Sequence, residues 1–109
     1  MFRRIPAGAV IALAMLALAV PAAAQDAGRI QLEISRTDDR IEMAESVVAG
    51  SDNERARMAL ANAVSLQAAA KRNFGSSLFA LALRATLDAR VRADAAIALV
   101  RGQPDPISR

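Results

Sequence analysis

The sequence predicts an all-α protein: a three-helix antiparallel bundle, a helical hairpin plus a third helix, preceded by a signal-peptide helix. Three observations lead there. Alanine, the strongest helix former, supplies 27 of the 109 residues. Beyond residue 28 the apolar residues recur at helical steps of three and four. Glycine-and-polar breaks near residues 50, 75 and 102 then cut this pattern into three lengths of about 20–24 residues, each roughly 30–36 Å long.

The chain opens Met1-Phe2-Arg3-Arg4, runs apolar from Ile5 to Val20, and leaves that run through Pro21-Ala22-Ala23-Ala24. A basic start, an apolar stretch and a small-residue exit are the parts of a secretory signal peptide. Residues 1–24 are therefore expected to be a leader, cleaved near Ala24 to leave Gln25 as the mature terminus. The competing reading retains the segment as a membrane anchor with its arginines inside. Sixteen apolar residues are short for a hydrocarbon core of about 30 Å. No cysteine follows the run, which excludes lipoprotein acylation. Export to a bacterial periplasm or beyond is the expectation.

Residues 25–101 form the expected domain. Its first helix, about 29–48, carries the seam Ile30, Ile34, Thr37, Ile41, Ala44 and Val48, which keeps to one narrow side. Ile30-x-Leu32-x-Ile34 also alternates like a strand, but a lone strand has no partner, so helix with a frayed beginning is preferred. Gly50 suits a left-handed helix stop, and Ser51-Asp52-Asn53-Glu54 fits a capping box. The resulting tight turn sets the first two helices antiparallel.

The second helix, about 53–73, has the seam Leu60, Ala63, Gln67, Ala70 and Phe74, widened by Met58, Val64 and Leu66. Lys71 and Arg72 suit the negative end of its dipole. Asn73-Phe74-Gly75-Ser76-Ser77 is read as a glycine stop followed by a serine start. The third helix, about 77–101, carries an alanine line at 82, 85, 89, 93 and 96, ending in Val100. Seven more leucine, valine and isoleucine residues spread its apolar surface past one stripe. Arg84, Asp88 and Arg92, and likewise Arg90 and Asp94, are spaced for a solvated ion-pair ladder. Gly102 ends the helix and residues 102–109 are a Pro-containing tail. An offset of 21 aligns Ala59-Leu60-Ala61 with Ala80-Leu81-Ala82; three shared heptads explain it without duplication.

Composition excludes several chemistries. Fourteen basic against eleven acidic residues give +3, and loss of Arg3 and Arg4 with the leader leaves +1. That balance, with basic residues spread over all three helices, argues against nucleic acid. There is no cysteine, histidine, tryptophan or tyrosine. Thiol chemistry, Cys-zinc sites, the usual general base and base-stacking platforms go with them. The serines have no histidine to activate them, and Lys71, the single lysine, sits at a helix end. The densest acids, Asp38, Asp39, Glu42 and Glu45, read as a solvated helix surface interleaved with Arg36 and Arg40 rather than as a divalent site. No cofactor and no metal site is expected.

Leu66, Ala70, Phe74-Gly75 and Ala80 resemble the middle of a tetratricopeptide repeat, where a small residue lets the second helix pack on the first. The likeness spans about 25 of the 109 residues and lacks the family's tryptophan, tyrosine and closing proline. One such repeat cannot bury its own faces, so no function is carried over.

The expected function is non-enzymatic. An exported helical protein would bind another protein or itself, a homodimer being the economical case for a small alanine-rich unit. The surface wagered on is Leu78, Phe79, Leu81, Leu83, Leu87, Val91 and Ile97 of the third helix, although all seven could equally be core. Alternatives are a membrane-anchored periplasmic stalk, which puts the protein on a membrane only if residues 1–24 are retained, and a holdase-like chaperone.

Overall fold

A computed structural model describes residues 7–102, with side chains from residue 26 onward. The expected leader at 1–24 lies outside those described side chains, and residues 103–109 of the expected tail lie outside the description altogether. Three helices follow in order: α1 (Ala7–Ala49), α2 (Glu54–Gly75) and α3 (Phe79–Arg101). No strand occurs among the described residues.

Ile30-x-Leu32-x-Ile34 is helical, and Thr37 lies well inside α1 rather than at its start. Helix wins because its six seam residues all find cover. Ile30, Ile34, Thr37, Ile41, Ala44 and Val48 are each buried. The alanine line of α3 meets that seam, with Ala82, Ala89, Ala93 and Ala96 fully buried. Between them α2 inserts Ala56, Ala63, Gln67 and Ala70. Met58 and Val64, expected to widen the α2 seam, are instead exposed. The physical reason is the alanine contact itself: side chains of one methyl bring the α2 and α3 backbones close, so only a narrow stripe is covered.

The start of α1 differs from the expectation, at Ala7 rather than near residue 29, and so do the helix ends at both turns. Ser51 and Glu54 do not form a capping box. Asn53 is the N-cap of α2, and the Ala56 amide donates to its Oδ1 at 3.0 Å. Ser51 Oγ accepts from the Asn53 amide at 3.0 Å, one step before the helix. Either residue type can cap, and Asn53 gains a second contact that decides between them: its Nδ2 donates to the Leu99 carbonyl of α3 at 3.3 Å. Gly50 does not adopt positive φ; among the described residues only Gly102 and Ser77 do.

At the second break Gly75 belongs to α2, and Ser77 takes the left-handed position at φ 62°. The Leu78 amide donates to the Asn73 carbonyl at 2.8 Å and the Ser77 amide to that of Phe74 at 3.0 Å, the paired bonds of a Schellman stop. The expected serine start fails as well, since Leu78 is the N-cap of α3 and offers no side-chain bond. Phe74 and Phe79 close the turn with ring centroids 5.4 Å apart. Gly102, at φ 71°, ends α3 as expected.

The interior has two apolar clusters. One gathers Ile41, Ala44, Val48, Ala56, Ala63, Ala93, Ala96 and Ile97; the other joins Ile30, Ile34, Ala70 and Ala82 to Phe74, Phe79 and Leu83. Between these clusters lie the buried polar side chains of the described residues, Thr37, Gln67 and Thr86.

Candidate interaction surface

The polar layer fixes how the helices face one another, and so which side of α3 is left outward. Gln67 of α2 uses both amide hydrogens, donating to the Ile34 carbonyl and to Asp38 Oδ1, each at 2.8 Å. Its oxygen accepts from Thr86 Oγ1 at 2.8 Å. Thr37 Oγ1 lies 3.1 Å from both the Glu33 and the Thr86 carbonyls and shares its one proton between them. It accepts in turn from Arg90 Nε at 3.1 Å. Arg90 Nη2 donates to the Glu33 carbonyl and carboxylate, both at 2.8 Å. Lys71 Nζ completes the layer with an ion pair to Asp38 at 3.0 Å.

Every inward donor and acceptor named here has a partner, so the layer adds specificity without an unsatisfied group. The hydrogen bond from Arg90 holds the Glu33 carboxyl below its ordinary range, against partial desolvation and with help from Arg36. These residues bind one helix to another.

The ion pairs differ from the ladder expected along α3, where Arg84, Asp88 and Arg92 form no pair among the described residues. Arg90 and Asp94 do not pair along α3: Arg90 reaches Glu33 and Asp94 reaches Arg40, at 2.8 and 3.1 Å, both on α1. Lys71 crosses to α1 instead of serving only its own helix end. The sequence signal for the layer was present in Thr37 and Gln67, polar residues in the middle of two otherwise apolar seams. The partners Thr86 and Arg90 carried no such mark, because α3 is apolar on several sides. Among the described residues no group of three carboxylates could hold a metal ion. Nor is any helix among them long and apolar enough to cross a membrane.

The seven residues expected to form a contact surface on α3 separate into three groups. Ile97 is core, 6% exposed, packed with Ile41 and Val48. Phe79 and Leu83 are partly covered by the second apolar cluster. Leu78, Leu81, Leu87 and Val91 remain exposed, at 48, 52, 41 and 46%. These four do not make one stripe. Leu83, Leu87 and Val91 follow each other at i,i+4 as one ridge, while Leu81 lies about 120° around the helix from Leu87. The ridge borders a shallow groove of about 330 Å³ lined by Arg29, Ile30, Glu33, Leu83 and Leu87. Its floor is apolar and its α1 rim carries both signs of charge.

Compared with protein-family models, curated proteins and solved structures, the chain matches none. The likeness to a tetratricopeptide hairpin thus rests on its few residues alone.

Proposed function

We propose that this chain is an exported, non-enzymatic helical protein that acts by associating with protein, itself included, through the outward side of α3. One observation carries the reading: Leu87 and Val91 stand 41 and 46% exposed, one turn apart, on a helix whose other side is already filled by the alanine contact. Two branched apolar side chains continuing a ridge from Leu83 gain free energy on leaving water, at about 25 cal/mol per Å² covered. The charged rim of Arg29 and Glu33 supplies orientation more than affinity.

Export is supported by residues 1–24, with their basic start, apolar run and alanine exit. Non-enzymatic action is supported by the lack of histidine and cysteine and by the use of the interior polar groups in helix-to-helix bonds.

Expression of the full chain in a bacterium, followed by fractionation and intact-mass measurement, tests export; a mature species beginning at Gln25 outside the cytoplasm is expected. A chain recovered with residues 1–24 attached to the membrane supports the anchored stalk instead. Light scattering across a dilution series tests association, which Leu87→Asp should abolish while leaving helicity intact. Turnover of a small molecule, lost on one conservative substitution, would overturn the non-enzymatic reading.

A further inference from the structure

The outward side of α3 carries a pattern that is complementary to itself. Arg84, Leu87, Val91 and Asp94 step by three, four and three residues and fall on one stripe about 80° wide. Arg84, Leu87 and Val91 are exposed, and the Asp94 side chain is 43% exposed. The two apolar residues lie at the centre with a cation on one flank and an anion on the other. A half-turn about an axis midway between Leu87 and Val91 exchanges Leu87 with Val91 and Arg84 with Asp94.

We infer that the partner of this surface is a second copy of the chain, joined α3 to α3 in antiparallel alignment about a two-fold axis near residue 89. The inference rests on the association reading above and names its partner. In this alignment Leu87 packs on the partner's Val91 and Arg84 meets the partner's Asp94, each contact occurring twice by symmetry. Arg84 has no ion-pair partner among the described residues, whereas Asp94 holds Arg40 at 3.1 Å. A carboxylate has lone pairs for two arginines, so Arg84 of one copy can join Arg40 of the other on Asp94.

Parallel alignment is disfavoured by the same residues, since it sets Arg84 on Arg84 and Asp94 on Asp94. The free seam ends at Asp94, because beyond it the same side of α3 is already covered, Ala95 being 1% and Ala98 6% exposed. Asp88 is the opposing feature. It lies beside the axis, and the two copies of it approach, a like-charge cost that the paired Leu87–Val91 and Arg84–Asp94 contacts must outweigh.

Charge reversal and its rescue test the pairing in the full chain. Sedimentation equilibrium should show association weakened about tenfold or more by Arg84→Glu and again by Asp94→Arg. The double variant should recover it. Residues 84 and 94 are about 15 Å apart along one helix, so recovery cannot come from within a single chain. The native chain has no cysteine, which makes single-cysteine variants clean reporters. Asp88→Cys should form a cross-linked dimer on mild oxidation, while Ala80→Cys, about 27 Å from its copy in this alignment, should not.

Equal cross-linking at both positions would indicate parallel pairing and overturn the inference. Association lost in Leu87→Asp but indifferent to both charge reversals would also overturn it, leaving the association reading in place. A monomer at every concentration that still uses the Leu87 surface for another protein would do the same.

Discussion

Thr86 of α3 donates a 2.8 Å hydrogen bond to the side-chain oxygen of Gln67 of α2 in the bundle interior, where one is 0% and the other 4% exposed. The amide of Gln67 spends its two hydrogens on α1, so this single side chain holds all three helices. Gln67→Leu leaves the Thr86 hydroxyl and the Ile34 carbonyl short of a partner, and we expect a loss of about 1–3 kcal/mol in urea unfolding. Adding Thr86→Val should restore part of it, because an apolar pair no longer strands a hydroxyl. The double variant is also expected to lose dispersion in its amide NMR spectrum, since two apolar clusters without a polar layer between them can slide.

Acid should weaken the bundle through Glu33. The hydrogen bond from Arg90 favours its charged form and keeps its carboxyl below the ordinary glutamate value. A folded-state value lower than the unfolded one means stability is fully present above the unfolded value, about 4.3, and is lost as pH descends through the folded one. Glu33→Gln should therefore be less stable than the parent near neutral pH, and the gap should close on acidification. Urea midpoints of both proteins measured from neutral pH down to about pH 2 check this; a constant gap would contradict it.

At the first turn, Asn53 and Ser51 can be separated by alanine. Asn53→Ala removes the cap bond from Ala56 and the tie to Leu99, and a loss of about 1–2 kcal/mol is expected. Ser51→Ala removes one bond to a pre-helical amide and should cost about half as much or less. Thermal unfolding of the two variants gives the order, which a capping box at Ser51 would reverse.

The second turn carries its glycine and its serine at each other's best positions. Gly75 is helical, with open space where a Cβ would be, while Ser77 holds φ 62°. Gly75→Ala should stabilise by about 0.5–1 kcal/mol and Ser77→Gly by about 1 kcal/mol. Gly102→Ala should act in the opposite direction, because φ 71° strains any side chain even though nothing crowds it. Denaturant midpoints of the three variants report the signs.

Much of this architecture was legible in the residues. The six-member seam of α1 could be read position by position because it is narrow and because its neighbours Arg36, Asp39 and Glu42 are plainly polar. Gln67 and Ala70 were legible for the same reason. Met58 and Val64 misled, since hydropathy alone does not reveal that alanines at 56 and 63 would draw two backbones together and leave larger side chains outside. On α3 the apolar residues surround the helix, so pattern could not say whether Ile97 or Val91 turns inward. Arg90 and Asp94 at i,i+4 look like a pair on one helix, yet α1 lies nearer to both. The caps were harder still, as Ser51 and Asn53 have equal chemistry and only contact with α3 chooses between them.

An interior built so largely from methyl groups removes little hydrocarbon from water for each residue ordered. Unfolding such a protein hydrates correspondingly little new surface, so its heat-capacity increment should fall below the usual 12–15 cal/mol/K per residue. The curve of free energy against temperature is then shallow, and the molecule trades a high summit of stability for a broad plateau of it.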